Sequence, residues 1–252
     1  MYYFSDNYTH CDDVEVTSSG GNTITGHPEM DIRDGNKASY FESDGATPSL
    51  IIDLGQAQTI DSLWMKQANI TAFSLYCSSD GSTWGSAITG TPVDKGNGIF
   101  WFFDFASNNK RYWKIVVTTK GSGNVKIYEV FLMTLRLSQL TDELMPSMVS
   151  CIPDDTMGGS YKMGDGSTTS YSGEKPFITV EILYQNTTPA NRDNLYLLYS
   201  TPTLRPPLCV LPDLLYPEDI FRVVWADTKF SFDYSNAYQG SGFNGKISLQ
   251  EW

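Results

Sequence analysis

The sequence predicts a mainly β protein, consisting of a β-sandwich followed by a smaller β-rich domain with one short helix. Three observations lead to this prediction. Strand-like runs that alternate between apolar and polar positions follow one another from residue 50 to residue 132, and no helical period interrupts them. Gly, Pro, Asn or Asp separates most of these runs, as is usual between antiparallel strands. From residue 134 onward the chain changes to Pro-rich connections, a Gly/Ser/Thr tract and a second group of strands.

The strands of the first part are predicted from alternation, and in chain order they are residues 50–54, 60–65, 73–77, 99–105, 113–118 and 125–132. Ile60 and Trp64 are expected on one face of their strand, with Leu63 and Met65 on the other. The stretch Ile99–Phe105 is almost wholly apolar, which predicts a central strand covered on both faces. Together these strands predict an antiparallel β-sandwich.

The second part is predicted to be a small α+β or mainly β domain. Residues 1–135 are assigned to the sandwich, residues 136–175 to a linker and mobile loop, and residues 176–252 to a small β-rich assembly domain. The Gly/Ser/Thr tract Gly158–Gly173 is expected to be mobile or to become ordered on a partner. Thr188 is a suitable N-cap before Pro189, which predicts a helix at about 189–200. Strands are predicted at residues 177–184, 221–227, 230–234 and 246–252.

Composition and charge exclude several classes of partner. Of the 252 residues, 17 are Lys or Arg and 29 are Asp or Glu, so the net charge is −12. Nucleic acid is not an expected partner, because phosphate binding requires clustered positive charge. No apolar run is as long as a membrane span, and the first residues lack the pattern of a signal peptide. We therefore expect neither membrane insertion nor a signal peptide.

The sequence predicts no enzymatic activity. It has two histidines and lacks the GxSxG, HExxH, P-loop and dinucleotide-binding motifs. A glycosidase pair of carboxylates that are distant in sequence remains an alternative. The cysteines Cys11, Cys77, Cys151 and Cys209 lack metal-binding spacing. Cys77 and Cys209 have apolar neighbours and are expected to be buried thiols, with disulfide bonds as the alternative.

The polar stretch Asp31–Ser43 carries the most chemical information. Around Asp34 and Asn36 it offers carboxylate, amide and hydroxyl oxygens within a few residues. Calcium takes six to eight oxygen ligands, and a tight Gly-containing loop can supply several of them. The alternative is a turn in which Asp34 and Asn36 make only side chain–backbone hydrogen bonds.

Five motifs that occur in order over residues 10–133 resemble the discoidin family, also called the coagulation-factor 5/8 type C or galactose-binding-like domain. The motifs are Asp34–Ser43, Ile52–Ile60, Ser79–Trp84, Arg111–Ile115 and Ile127–Val130. The chain departs from the family at Ser39 and Phe41, where Thr and Trp are usual. The resemblance implies a non-catalytic jelly-roll sandwich that binds glycans, lipids or proteins through loops at one end.

The resemblance also implies a structural calcium ion. Its ligands would be oxygen atoms of five residues, namely Arg33 (backbone carbonyl), Asp34, Asn36, Ser39 and Glu129. Glu129 is expected on the same strand face as Ile127 and Phe131, where a buried carboxylate needs a partner.

Glycan binding requires an aromatic platform with hydrogen-bonding neighbours. The candidate residues for it are His27, Tyr40, Trp101 and Arg111. For Trp101 the alternative is a core position inside its apolar run, and for His27 it is an ordinary loop position before Pro28.

The C-terminal part is similar to small domains of tailed-phage tail proteins at Leu211–Asp213, Tyr216–Trp225 and Gly245–Glu251. We therefore expect a non-catalytic structural protein of a virion, namely a phage tail or tail-like particle. Its discoidin-like module would bind a cell-surface glycan or serve assembly, with other tail proteins and copies of itself as partners. The alternative is a bacterial extracellular carbohydrate-binding protein that is not part of a particle.

Overall fold

A computed structural model describes residues 2–36, 38–95, 100–138, 148–154, 159–162, 168–171, 177–200, 207–212, 220–226, 229–234 and 242–251. The described residues form β-strands, two 3₁₀ helices (Tyr8–His10 and Glu29–Arg33) and one α-helix, which confirms the predicted mainly β fold. The chain divides into two compact units. The first comprises Phe4–Arg136 and Asp213–Ile220, and the second comprises Met1–Tyr3, Leu137–Pro212 and Phe221–Trp252.

In chain order the strands are β1 (Tyr2–Phe4), β2 (Glu15–Ser19), β3 (Phe41–Ser43), β4 (Ser49–Ala68), β5 (Ile70–Ser78), β6 (Gly90–Lys95), β7 (Phe100–Lys120), β8 (Val125–Met133), β9 (Leu135–Ser138), β10 (Met148–Asp154), β11 (Gly159–Lys162), β12 (Thr168–Tyr171), β13 (Phe177–Thr187), β14 (Leu208–Leu211), β15 (Phe221–Trp225), β16 (Phe232–Tyr234) and β17 (Phe243–Glu251). The helix α1 (Pro189–Ser200) lies between β13 and β14.

The first unit is built on two long antiparallel strands, β4 and β7. Each joins two runs that the sequence predicts as separate strands, and their pairing is interrupted between Asp53 and Gln58. Strands β2 and β5 pair with one part of the long strands, whereas β6 and β8 pair with the other part. Apolar side chains from both parts form one core cluster, which includes Ile52, Leu63 and Trp113.

An irregularity in the pairing of β4 with β7 coincides with a change in the predicted faces of β4. The register shifts between Ile60 and Ser62, where β7 has two more residues than β4. Ile60 lies in the same core cluster as Leu63 and Met65, and the prediction that it shares a face with Trp64 is wrong. Trp64 is also buried, with its ring centroid 4.9 Å from that of Phe131.

A second irregularity, between Lys66 and Gln67, changes the pairing with β8. Ile127 lies in the core cluster, whereas the side chains of Glu129 and Phe131 both approach the ring of His10. The expectation that Glu129 shares a strand face with Ile127 is therefore wrong, because the bulge interrupts the alternation between them. Glu129 does share its face with Phe131.

In the second unit, the sheet has the strand order β10-β13-β17-β15-β14-β1-β9, with β16 paired to β17. The predicted helix is confirmed at Pro189–Ser200, and the hydroxyl of Thr188 accepts a hydrogen bond from the backbone N–H of Asn191 (3.3 Å). The side chain of Leu195 is fully buried in the core of this unit. The sequence reasoning missed four strands of this sheet, β1, β9, β10 and β14. The buried members of β1 and β14 include Tyr3 and Val210.

The tract Gly158–Gly173 was predicted to be a loop, but its described residues form an antiparallel pair, β11 with β12. Thr and Tyr have high β-propensity, which outweighs the Gly and Ser content of this tract. Residues 158, 163–167, 172 and 173 lie outside the described residues. No helix in the described ranges is long and apolar enough to cross a membrane.

The described cysteines carry thiol groups in different environments. Cys209 is buried, as predicted, whereas Cys77 is half-buried and Cys11 is exposed. The side chain of Cys151 lies outside the described residues.

Candidate functional site

Two groups of residues in the first unit contain four of the nine predicted site residues, namely Asp34, Glu129, His27 and Tyr40. We call the group formed by His10, Asp34, Gly35 and Glu129 the Glu129 cluster. A second group, which we call the Tyr40 surface, consists of His27, Tyr40, Glu42, Lys126 and Tyr128. Each has its own geometry and its own electrostatics.

The loop of the Glu129 cluster begins where the 3₁₀ helix Glu29–Arg33 ends. The carboxylate of Asp34 accepts hydrogen bonds from the backbone N–H of Asn36 (2.8 Å) and from the hydroxyl of Ser39 (2.5 Å). The Asn36 side-chain oxygen accepts one from the N–H of Ala38 (3.1 Å). Gly35 has a φ of +74°, which glycine adopts without steric cost. The side chain–backbone hydrogen bonds of a capped turn are therefore present in this loop.

Glu129 is a buried carboxylate beside this loop, with a side chain that is 1% exposed. Its Oε2 lies 3.3 Å from Nε2 of His10, and its Oε1 has no hydrogen-bond partner among the described residues. Burial raises the pKa of the Glu129 carboxyl, and the negative charge of Asp34 raises it further. His10 and the backbone N–H of Gly35 act in the opposite direction. An unpaired buried carboxylate oxygen costs on the order of 1–3 kcal/mol, so this group needs a further partner.

The oxygen atoms at this place are of the kind that calcium takes. They include the carboxylate oxygens of Asp34 and Glu129 and the hydroxyl of Ser39, and one of them is the unpartnered Oε1. The guanidinium of Arg33 donates to the carbonyl of Val14, so Arg33 can contribute only its backbone carbonyl. No three His, Cys, Asp or Glu side chains of the described ranges form a metal-binding group. Backbone and hydroxyl oxygens would therefore have to complete the ligand set.

The Tyr40 surface is built on aromatic contacts. The rings of His27 and Tyr40 are stacked, with centroids 4.1 Å apart and an interplanar angle of 12°. The Tyr128 ring lies 5.0 Å from that of Tyr40 at an angle of 50°. The ammonium of Lys126 lies 4.5 Å from the centroid of Tyr40, and that of Lys66 lies 4.7 Å from the centroid of Tyr128. Stacked rings flanked by cations make a firm platform at low conformational cost.

Charged hydrogen-bonding groups lie next to these rings. The pairing of β3 with β8 places Glu42 directly opposite Lys126, and Glu42 Oε2 lies 3.9 Å from the ammonium of Lys126 and from Nε2 of His27. Glu42 Oε1 accepts a hydrogen bond from the amide of Asn124 (3.0 Å). The hydroxyl of Tyr40, 3.4 Å from the ammonium, raises the pKa of Lys126, and Glu42 adds to this effect. The surface thus offers acceptors and donors beside aromatic rings, a combination that suits hydroxyl-rich ligands.

The other two predicted ligand contacts lie elsewhere. Trp101 is 9% exposed, in the wall of the core, and its ring is perpendicular to that of Phe73 at 5.5 Å. Arg111 makes a two-pronged ion pair with Asp53 (2.6 and 2.8 Å), which holds the pKa of Asp53 below its usual value. The structure therefore brings together His27 and Tyr40 but neither Trp101 nor Arg111.

Four residues of the two groups were missed by the sequence reasoning. Glu42, Lys126 and Tyr128 could have been found from alternation, since each lies next to a buried residue in its strand and must face outward. His10 has no such signal, because it meets Glu129 across 119 positions of the sequence.

Comparisons with known proteins show what the first unit is similar to. Residues 14–130 match the family model of the F5/8 type C domain, and all five sequence motifs lie inside this range, which confirms the resemblance to that domain. The chain matches no curated protein. The comparisons do not show the similarity to phage tail proteins.

Several solved structures of bacterial sugar-binding modules are similar to the chain over about half its length. CpGH89CBM32-5 from Clostridium perfringens, solved with GalNAc-β-1,3-galactose, is 18% identical over 51% of this chain and 99% of that chain, with a TM-score of 0.44. The family 32 module of C. perfringens NanJ, solved with galactose, is 16% identical over 52% and 98%, with a TM-score of 0.42. Chitosan-binding module 1 of a chitosanase/glucanase from Paenibacillus sp. IK-5 is 18% identical over 50% and 97%, with a TM-score of 0.43.

Proposed function

We propose that the first unit is a non-catalytic carbohydrate-binding module that contacts sugar through the Tyr40 surface. The observation that carries this proposal is the stacked pair of His27 and Tyr40, flanked by the carboxylate of Glu42 and the ammonium of Lys126. The match of residues 14–130 to the F5/8 type C domain supports it. Similar modules have been solved with galactose and with GalNAc-β-1,3-galactose.

The proposed contact uses both kinds of group. The aromatic rings would pack against the C–H face of a sugar ring, and Glu42 and Lys126 would exchange hydrogen bonds with its hydroxyls. The described contacts already hold Glu42 between Asn124 and Lys126, so little side-chain entropy would be lost on binding.

A glycan array followed by calorimetry tests this proposal. Galactose- and GalNAc-containing glycans should bind the wild type, and Tyr40→Ala should weaken binding about tenfold or more, since it removes the centre of the platform. Tyr112→Ala is the matched control, because Tyr112 also lies under a cation, that of Arg111 at 4.9 Å, outside the Tyr40 surface. Equal affinities for Tyr40→Ala and the wild type would exclude this surface as the sugar contact.

We also propose that the loop Arg33–Ser39, together with Glu129, binds a structural calcium ion. The unpartnered Oε1 of Glu129 and the all-oxygen donor set support this proposal. The ion would fix the loop and not take part in any reaction.

For the biological setting, we propose a structural protein of a phage tail or tail-like particle, with the second unit as the assembly domain. Support comes from the C-terminal sequence pattern and from two exposed apolar side chains of α1, Tyr196 and Leu197, which are 51% and 64% exposed. Exposed large apolar side chains are a feature of surfaces that contact other proteins. Copies of the same chain and other tail proteins would be the partners, and the location would be the virion. A bacterial extracellular sugar-binding protein outside any particle is the alternative.

The two settings differ in assembly state and in gene neighbourhood. Light scattering after size-exclusion chromatography should give an oligomer, or a monomer that assembles only on particles, if the protein belongs to a tail. Genes for a tail tube and a tape measure should flank its gene. A monomer that binds a defined sugar and has no such neighbours would support the alternative.

A further inference from the structure

Two ammonium groups lie over neighbouring rings at the Tyr40 surface, although the chain as a whole is acidic, with a net charge of −12. The ammonium of Lys126 is 4.5 Å from the centroid of the Tyr40 ring. That of Lys66 is 4.7 Å from the centroid of the Tyr128 ring. Because the two rings are themselves 5.0 Å apart, both ammonium groups flank one continuous aromatic platform.

The carboxylate of the Tyr40 surface, that of Glu42, already has partners. Its Oε1 accepts a hydrogen bond from the amide of Asn124 (3.0 Å), and its Oε2 lies 3.9 Å from the ammonium of Lys126. Asp31 acts electrostatically on His27, whereas Glu42 is the carboxylate that acts on Lys126. Glu42 can offset one of the two ammonium charges and leaves the other, so the platform favours the approach of an anion.

The ammonium groups are partly held in place and can still contact a ligand. The side chain of Lys126 is 30% exposed, and Lys66 is half-buried. The hydroxyl of Tyr40 raises the pKa of Lys126, which keeps this ammonium charged at neutral pH. An ammonium has three N–H donors, so each can keep its present contacts and donate to a ligand as well. Contacts with the rings restrict both side chains before binding, which reduces the entropy lost on binding.

These charges distinguish between classes of sugar. A hydrogen bond from an ammonium to a carboxylate is roughly twice as strong as one between neutral groups. A neutral sugar offers only hydroxyl oxygens to Lys66 and Lys126, whereas a sugar with a carboxylate offers a charged acceptor. The same aromatic platform should therefore bind the acidic sugar more tightly.

We propose that the Tyr40 surface selects acidic sugars. The pyranose ring packs against the aromatic rings, and its carboxylate is held by the positive charges of Lys66 and Lys126. Uronic acids, in which a carboxylate replaces the hydroxymethyl group of the sugar, are the simplest members of this class. This inference rests on the proposed sugar contact of the Tyr40 surface and adds to it the charge of the sugar.

Calorimetry with three matched glycosides tests the inference on the full chain. The probes are methyl α-D-galactoside, the corresponding galacturonoside with its carboxylate, and the methyl ester of that galacturonoside, which is uncharged. The galacturonoside should bind about three- to tenfold more tightly than either neutral probe. Raising the salt concentration from about 0.1 M to about 1 M should remove most of this preference, since the Debye length falls from about 10 Å to about 3 Å.

The variant Lys66→Gln removes one of the two charges and keeps a polar side chain. It should lower the ratio of the galacturonoside affinity to the galactoside affinity about two- to fourfold, and Lys66→Arg should restore the ratio. Lys114→Gln is the matched control, because the ammonium of Lys114 also lies over an aromatic ring, that of Trp84 at 4.2 Å, outside the Tyr40 surface. It should leave the ratio as it is in the wild type.

The outcomes separate this inference from the proposed function. Equal affinities of the wild type for the charged and the neutral probes would overturn the inference and leave the sugar contact standing. Binding of none of the probes would contradict the sugar contact itself, and the inference with it. A ratio that Lys66→Gln leaves unchanged, or that Lys114→Gln lowers equally, would also overturn the inference. If Lys66→Gln does not fold, the three probes on the wild type at both salt concentrations are sufficient.

Discussion

Replacement of Glu129 by Gln is the sharpest test of the calcium proposal, because it keeps the shape of the side chain and removes its charge. Glu129 is 1% exposed and its Oε1 is unpartnered within the described residues. In a chelator at pH 7.5, the unpartnered oxygen should therefore lower the free energy of unfolding of the wild type by on the order of 1–3 kcal/mol. Glu129→Gln should avoid part of this loss. We expect the variant to be at least as stable as the wild type under these conditions.

Calcium should reverse this order. At a free concentration 100 times its Kd, a ligand that binds only the folded state stabilises it by about 2.7 kcal/mol. For a unit of this size, that corresponds to a rise in melting temperature of about 10 °C. The wild type should show this rise and Glu129→Gln should show little of it. Asp53→Asn is the control, since Asp53 is a carboxylate paired with Arg111, outside the Glu129 cluster, and it should retain the calcium response.

The pH dependence provides an independent check. Burial raises the pKa of Glu129 in the folded protein above its value in the unfolded chain. The stability that this group contributes is therefore complete below the unfolded pKa and is lost as the pH rises through the folded pKa. Differential scanning fluorimetry in a chelator should show this loss in the wild type and not in Glu129→Gln. The reasoning fails if calcium stabilises both proteins equally, and the absence of any calcium effect on the wild type would mean that hydrogen bonds alone hold the loop.

Three further substitutions test other parts of the structure. Asp53→Asn should lower the free energy of unfolding by about 0.5–1 kcal/mol at pH 7, because it removes the ion pair with Arg111. This ion pair lowers the pKa of Asp53 in the folded protein. Denaturant titrations should therefore show that the difference between variant and wild type disappears as the pH falls through that pKa. Leu195→Ala should lower the free energy of unfolding of the second unit by about 2–5 kcal/mol, because this side chain is fully buried. Hydrogen exchange should show a loss of protection in α1. Unchanged protection would contradict the burial of Leu195. Gly81→Ala should destabilise the first unit by about 1–2 kcal/mol, because φ is +73° at this position. Gly85→Ala is the control and should hardly change the melting temperature, because a Cβ atom there would lie in open space. Equal melting temperatures of the two variants would refute the argument.

Much of the fold could be predicted because the relevant signals are local. The helix was placed at Pro189–Ser200 from the cap and from helical spacing, and the structure has it at the same residues. Eight of the 17 described strands, including every strand of nine residues or more, were found from alternation. The prediction of strand faces failed where the pairing of two strands is irregular, as between Ile60 and Ser62, because such a shift in register leaves no mark in the alternation of a single strand.

The candidate site could be predicted only in part. The loop around Asp34 was found because its residue types are unusual for a regular element. The contacts of Trp101 and Arg111 were not found, because residue type alone does not distinguish an aromatic ring in a core wall from one on a binding surface. The partner of Arg111, Asp53, lies 58 positions away in the sequence and is brought to it by the pairing of β4 with β7.

The sequence by itself therefore determined the β class, the helix, the F5/8 type C motifs and the oxygen-rich loop. These depend on alternation, capping and short spacings, which act over a few residues. Only the tertiary structure decided that His10 meets Glu129, that His27 stacks on Tyr40 and that Lys66 and Lys126 lie over neighbouring aromatic rings. The reason is that strand pairing and bulges set these contacts, and they bring together side chains that the sequence holds far apart.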